Sequence, residues 1–234
     1  MLLVSASWGT QPSANPLPTH SMWDALLKKY VSAEGKVNYQ AWLPHIDPLK
    51  DYLRYIAENP PTSTWSDDEQ KAYWINAYNA FTVKLILDNY PVKSINNIGT
   101  TSSKPWDIMF IEIGGQKYSL NMIEHEKLRK AFHDPRIHFA LNCASKSCPP
   151  LLNAAYTANQ LHAQLEEQTR AFINDKTQNL IGTDKATISK IFNWYAEDFA
   201  SSGGVVSFIN KYTDGGLKEG ATITYQDYNW SLNE

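Results

Sequence analysis

The chain has 234 residues, of which 43% are hydrophobic and 19% charged, and its formal net charge is −3. This length and composition are typical of a globular protein that can bury a proper core. The small negative charge gives no basic surplus for phosphate backbones, so nucleic acid is not expected as a partner. No apolar run approaches the roughly 18 residues that a membrane span needs.

Residues 1–18 predict an N-terminal extension rather than part of the folded domain. Residues 1–8 resemble the tail of a signal peptide because they end in small residues, although a basic start and a full apolar core are missing. The proline-rich stretch 10–18 is typical of an extended linker at the start of an exported protein. We therefore expect a periplasmic or secreted protein, with a cytoplasmic protein as the alternative, and a single folded domain over residues 19–234.

Hydrophobic periodicity predicts mainly helices in the first 90 residues. Apolar residues at helical spacing predict one helix over residues 21–31 and another over residues 39–57. A third helix begins at a capping box, in which Ser66 and Glu69 satisfy free backbone amides, and runs to Tyr90. This third helix is apolar on almost every side, which predicts that it is buried at the centre of the fold.

The rest of the chain predicts a small sheet and shorter helices. The predicted elements are a hairpin over 108–119, helices over 120–132, 158–174, 191–199 and 205–212, and strands near 179–182, 186–189 and 222–230. The segment after Asp134-Pro135 fits either a helix or a strand. Helices dominate and no βαβ rhythm appears, so we predict an α+β fold: a mainly helical single domain with a buried central helix and a small antiparallel sheet.

The residue types best suited to nucleophilic chemistry lie close together in the middle of the chain. Cys143 and Cys148 are the only cysteines, and Lys146 lies between them, where its charge would favour a reactive thiolate. His138 and Asn142 share one side of their segment whether it is helix or strand, because four residues satisfy both periods. The pattern predicts a nucleophilic pair of Cys143 and His138.

Polar residues also fall on helix faces that should be buried. Glu124 lies on the apolar face of the predicted helix 120–132, and His125 lies at the edge of that face. A buried carboxylate there either acts as an acid, base or histidine orienter, or pairs with a core tyrosine, lysine or backbone amide. Asn76 and Asn79 share a stripe of the central helix, where they either tether a loop or form one wall of a site.

These residues support several functions. The first is a thiol-dependent hydrolase or acyl transferase with Cys143 as nucleophile, His138 as base and Glu124 or His125 as orienter. The alternative is a non-catalytic extracytoplasmic module that binds a small molecule or peptide and has a structural disulfide. Its pocket would draw on Asn76, Asn79, Asn142, Lys146 and Cys148. Thiol redox and zinc binding are further alternatives, weakened because Cys-x-x-Cys and the usual paired zinc-ligand spacings are absent. No cofactor or metal is expected.

Several motifs, in the right order, resemble the domain of unknown function 547 family. They are Ala72-Tyr-Trp-Ile-Asn-Ala-Tyr-Asn-Ala-Phe81, Ser94-Ile95, Pro105-Trp106, Ile123-Glu-His-Glu-Lys-Leu-Arg129, His138-Phe-Ala-Leu-Asn-Cys143 and Ser147-Cys-Pro149. The resemblance spans roughly residues 23–199, and residues 228–232 also fit it. It implies no established activity. Bacterial members look mostly like short exported proteins, and some eukaryotic relatives join the domain to glutaredoxin-like or coiled-coil segments, which by association hints at thiol chemistry.

A buried helix followed by a small sheet is also loosely similar to papain-like and transglutaminase-like folds. In those folds the nucleophilic cysteine opens the central helix, whereas here that helix offers Asn76 and Asn79 and no cysteine. An enzyme of this kind would have to supply its thiol from the loop between Cys143 and Cys148.

Overall fold

The computed structural model describes residues 17–100 and 103–234. Almost all of the predicted extension 1–18 lies outside these ranges, so its assignment as an extension stays a prediction. The helices, in chain order, are α1 (Ser21–Tyr30), α2 (Tyr39–Trp42), α3 (Asp47–Glu58), α4 (Asp67–Asn89), α5 (Leu120–Met122), α6 (Lys130–Phe132), α7 (Leu161–Asn174), α8 (Ile191–Trp194) and α9 (Gly204–Asn210). The strands are β1 (Ile111–Ile113), β2 (Gln116–Tyr118), β3 (Leu180–Ile181), β4 (Lys185–Ile188) and β5 (Thr222–Tyr225).

The helix α4 is the central element of the fold, as its composition predicts. It starts at the predicted capping box, where the Glu69 amide donates to the Ser66 hydroxyl over 3.3 Å and the Ser66 amide donates to the Glu69 carboxylate over 2.7 Å. Side chains on all its sides are buried from Lys71 to Val83. Each large apolar side chain so buried stabilises the fold by about 1.5–3 kcal/mol, so burial on all sides is the main reason that this helix forms.

The predicted helix over residues 120–132 forms, but its middle is not α-helical. After α5 the backbone makes π turns over Ile123–Arg129 and then continues as α6. A π turn holds more residues than an α turn and is frequent at functional sites. It also changes which side chains share a face, so a periodicity of 3.6 does not locate the side chains of this helix accurately.

The apolar residues form two clusters, and the predicted site segment crosses between them. The larger cluster surrounds α4, and the smaller one packs α7, α8 and α9 around Phe139. Asp134 caps a 3₁₀ helix over Pro135–Phe139, which is neither of the two regular elements that the sequence allows. Phe139 belongs to the smaller cluster, whereas Ala140 and Leu141 pack into the larger one. His138 and Cys143 therefore lie where the two clusters meet.

The strands form two small sheets. The predicted hairpin pairs β1 with β2 in antiparallel register, Ile111 opposite Tyr118, and turns at Gly114 and Gly115, both with positive φ. In the second sheet β3 pairs antiparallel with β4, but β5 pairs parallel with β4. The α+β prediction is confirmed, with a mixed second sheet beside the antiparallel hairpin.

The last strand is shorter than the sequence predicts because the chain leaves the sheet after Tyr225. In the segment that follows, Trp230 and Leu232 pack against the larger cluster, and the backbone pairs with two distant loops. Ser231 pairs with Ser94, and Leu232 pairs with Ser145 beside the cysteines. Part of the candidate site is therefore built from the C-terminal residues. Within the described ranges, no helix combines the length and the apolar character that crossing a bilayer would require.

Candidate functional site

A cavity of about 540 Å³ opens beside the cysteines. Four of the predicted site residues contribute to its wall, namely Glu124, His138, Cys143 and Cys148. Aromatic rings form much of the remaining wall: Tyr78, Trp106, Trp194, Tyr195, Tyr228 and Trp230. A concave site that combines aromatic surface with a few convergent polar groups is the usual form of a small-molecule site.

Cys143 and Cys148 are joined as a disulfide, with their Cα atoms 6.2 Å apart, a distance that is ordinary for such a bond. Cys143 is half-buried and Cys148 is buried. The Tyr228 hydroxyl lies 3.2 Å from the Cys148 sulfur and 3.5 Å from the Cys143 sulfur, and burial raises the pKa of Tyr228. The bridge that the binding-module alternative requires is present, and in this form Cys143 is not a free nucleophile.

His138 is held by a carboxylate that the sequence reasoning did not assign to the site. Its Nε2 donates to Asp198 Oδ2 over 2.6 Å, and Arg129 binds the same carboxylate through Nε at 2.6 Å and Nη2 at 2.9 Å. Burial opposes ionisation of Asp198, but the hydrogen bonds from His138 and Arg129 outweigh it and hold its pKa below the ordinary value. With Nε2 fixed as the donor, Nδ1 is the nitrogen left to accept a proton.

His125 lies one step further along this chain of contacts. Arg129 Nη1 donates to His125 Nδ1 over 2.7 Å, and the guanidinium can only donate, so this nitrogen accepts. His125 is therefore joined to His138 through Arg129 and Asp198 rather than directly. It is not among the residues that line the cavity.

Glu124 is buried at the cavity with only 6% of its surface exposed. Its Oε1 accepts a hydrogen bond of 2.6 Å from the Tyr195 hydroxyl. Burial, followed by the charge of Glu124, raises the pKa of Tyr78 and of Tyr195. The Tyr195 ring also stacks on His138 with centroids 3.9 Å apart, so one tyrosine contacts both predicted site residues.

The predicted asparagines hold loops in place. Asn76 bonds to both backbone groups of Tyr156, at 2.8 and 3.0 Å. Asn79 donates to the Ala140 carbonyl and accepts from the Asn142 amide, each over 2.9 Å. Neither Asn76 nor Asn79 lines the cavity. These contacts match the tethering role that the sequence left open.

The loop that contains the cysteines is fixed from several sides. The Asn142 side chain donates to the Pro149 carbonyl over 2.8 Å and accepts from the Ala144 amide over 2.9 Å. Lys146 is exposed and is not part of the cavity wall, but its backbone amide donates to Ser231 over 2.8 Å. Asn142 therefore shapes the loop from within, and the C-terminal segment fixes it from outside.

The geometry gives no support to the zinc alternative. Within the part of the chain that the structure describes, no three side chains among His, Cys, Asp and Glu come close enough to hold a metal ion. Both sulfurs are also engaged in the disulfide.

Comparison with known proteins finds a family match for one part of the chain and no relative of known activity. Residues 62–173 match the model of a family described as "Protein of unknown function, DUF547". No curated protein and no solved structure matches the chain. The matched segment contains Glu124, His138 and both cysteines, whereas Tyr195, Asp198 and Tyr228 follow it. The resemblance predicted from the sequence motifs is thereby confirmed over residues 62–173, where the chain carries a DUF547 domain, and the wider span of 23–199 and 228–232 stays a prediction.

Proposed function

We propose that the protein is a thiol-dependent hydrolase or acyl transferase whose nucleophile, Cys143, is stored as a disulfide with Cys148. The observation that carries this proposal is that the disulfide and His138 line one cavity, with His138 held by the ionised Asp198. A disulfide that only stabilised the fold would have no need of a supported histidine on the same wall. A carboxylate that fixes the histidine tautomer and stabilises its charged form is the arrangement that activates nucleophiles.

The proposed reaction begins with reduction of the disulfide. A dithiol reductant supplies two electrons and two protons, becomes a disulfide itself and leaves Cys143 and Cys148 as thiols. Cys143 then passes its proton to His138, and its thiolate forms a bond to the acyl carbon of the substrate. The bond from that carbon to the leaving group breaks as His138 returns the proton to the leaving group. Water, or an acceptor nucleophile in a transferase, then gives a proton to His138 and bonds to the acyl carbon, and the carbon–sulfur bond breaks as His138 returns that proton to the Cys143 sulfur.

A second function is a non-catalytic extracytoplasmic binding module with a structural disulfide. The observation in its favour is that the loop of Cys143 and Cys148 is bridged and already fixed by Asn142 and the C-terminal segment. In this function His138 and Asp198 would serve to shape the cavity. The two functions differ in whether a free Cys143 is more reactive than an ordinary thiol.

Variants that keep one of the two cysteines distinguish the thiol-dependent enzyme from the binding module. Cys148→Ser frees Cys143 without any reductant, and Cys143→Ser frees Cys148 as a matched control. Each variant is incubated near neutral pH with p-nitrophenyl acetate, and the acylated residue is located by peptide mass. The enzyme proposal expects rapid acylation of Cys143 that His138→Gln removes. Acylation of Cys143 no faster than that of Cys148, with circular dichroism showing both variants folded, would leave only the binding module.

We also propose that the protein is periplasmic or secreted. The support is the disulfide, since such bonds persist mainly in oxidising compartments. The test is to trap free thiols with a maleimide in intact source cells before they are fractionated. Recovery of the bridged protein in the periplasmic or extracellular fraction is expected, and recovery of a fully labelled protein in the cytoplasmic fraction would refute the location.

A further inference from the structure

Four aromatic rings form a continuous surface on one side of the cavity, which we call the aromatic wall: Trp106, Trp194, Tyr228 and Trp230. Trp230 is the centre of this surface, with ring centroids 4.5 Å from Tyr228, 5.4 Å from Trp106 and 5.9 Å from Trp194. The Trp194 side is open, with 46% of this residue exposed. Large aromatic residues left partly exposed beside a cavity indicate a surface that a ligand covers.

Glu124 supplies the charge of the same cavity. It is more than nine-tenths buried, and its carboxylate accepts a hydrogen bond from the neutral hydroxyl of Tyr195. Among the described residues no lysine, arginine or histidine forms an ion pair with it. Arg129 is close enough to sense its charge, but this guanidinium is already bound through two nitrogens to Asp198. A buried carboxylate without a neighbouring cation is costly in free energy. A cationic ligand in the cavity would supply the missing counter-charge.

We propose that the cavity binds the ammonium group of its ligand between Glu124 and the aromatic wall. Ring faces attract cations, best at tryptophan, and an ammonium group near several rings and a carboxylate gains from both. Ammonium binding would define the class of ligand that the cavity takes, and it depends on the proposed function only because both use the same cavity. A primary amine and a quaternary ammonium share this chemistry, and the test distinguishes them.

The other charges at the cavity are compatible with a cation. Lys104 lines the cavity but is exposed, where water and salt screen its charge. His138 is paired with the ionised Asp198, so the positive charge of a protonated imidazole would be balanced locally. Among the described residues of the cavity wall, Glu124 is therefore the buried charged group that has no oppositely charged partner.

The test uses the oxidised protein, in which no thiol chemistry is possible. Tryptophan fluorescence is followed during titration with choline and with butylammonium. The neutral counterparts of similar shape, 3,3-dimethylbutan-1-ol and butan-1-ol, serve as matched probes. We expect at least one ammonium probe to bind about tenfold or more tightly than its neutral counterpart. The stronger of the two cations identifies the ligand as a quaternary ammonium or a primary amine.

Two charge-matched variants locate the binding group. Glu124→Gln should weaken binding of the preferred cation about tenfold or more, whereas Glu126→Gln, which removes the same charge from an exposed position of the same helix, should not. Equal affinity for cation and neutral counterpart, or equal loss in both variants, would overturn the inference. So would the absence of saturable binding by either cation up to about 50 mM, where even a millimolar site is filled. Because the bridge stays closed throughout, failure of the proposed thiol chemistry would leave these results unchanged.

Discussion

Burial of His20 makes the stability of the protein depend on pH between about 4 and 6.5. His20 precedes α1, is only 6% exposed, and its Nδ1 lies 2.7 Å from the Tyr52 hydroxyl. Burial lowers the pKa of His20 from 6.5 to about 4. The folded state therefore keeps this imidazole neutral at pH values where the unfolded chain protonates it.

The direction and size of the effect follow from that pKa difference. Because the unfolded chain binds the extra proton, the stability from a neutral His20 is complete above pH 6.5 and is lost as the pH falls toward 4. At about 1.4 kcal/mol for each pH unit, the full loss in the free energy of unfolding is about 3.5 kcal/mol.

Urea unfolding at several pH values between about 7 and 4.5 measures this loss. His20→Gln can still hydrogen-bond to Tyr52 but cannot titrate. Over this pH range the native protein should therefore lose about 2–3 kcal/mol more of its free energy of unfolding than His20→Gln loses. The exposed His45 provides the control, and His45→Gln should keep the native pH dependence. The same pH dependence in His20→Gln and the native protein would show that His20 is not its source.

Three further substitutions test other parts of the structure. Asp134→Asn removes the carboxylate that lies 3.0 Å from the buried Lys71 ammonium. Urea unfolding should show that the free energy of unfolding falls by about 3–5 kcal/mol, and a fall below 1 kcal/mol would contradict a buried ion pair. Asp198→Asn, combined with Cys148→Ser, should slow acylation by p-nitrophenyl acetate roughly 100-fold relative to Cys148→Ser alone, with circular dichroism showing both variants folded, and an unchanged rate would contradict its role. Asn79→Ala leaves two buried backbone groups unpaired and should cost about 2–4 kcal/mol in urea unfolding, whereas no loss would mean that the loop does not depend on this tether.

The sequence predicts the local features of the fold well because each rests on short-range physics. The capping box at Ser66, the burial of α4 and the hairpin at Gly114 depend on residues a few positions apart. The π turns over Ile123–Arg129 and the parallel pairing of β5 with β4 depend on tertiary packing. The periodicity of a single segment carries no information about such packing, so neither feature could be predicted from it.

In the candidate site, too, the residues that local sequence reveals could be predicted, and those placed by tertiary packing could not. Cys143, Cys148, His138 and Glu124 could be proposed because each is an unusual residue for its local environment, and all four line the cavity. Asp198 could not be assigned to His138, because 60 residues separate them and the segment around Asp198 looks like an ordinary aromatic helix. An alternating pattern, an amphipathic face or a capping motif does not reveal which distant element supplies a partner.

The C-terminal residues were the least predictable part of the site. Tyr228 lies in a segment that the sequence predicts as a strand, but the chain leaves the sheet and brings the Tyr228 hydroxyl to both sulfurs. The ring of Trp230, two residues later, completes the aromatic wall. Tyr228 packs against the smaller cluster and Trp230 against the larger one, so both positions depend on the packing of the whole fold.

Activation of Cys143 by His138 and Asp198 is tested most directly by the pH dependence of its alkylation by iodoacetamide in the Cys148→Ser variant. If His138 and Asp198 activate this thiol, Cys143 should already react rapidly at about pH 6, where an ordinary thiol is almost entirely protonated and unreactive. His138→Gln should abolish that reactivity at low pH. A rate that rises only near the ordinary titration range of a cysteine, at about pH 8.5, and that is unchanged by His138→Gln would show that Cys143 is an ordinary thiol.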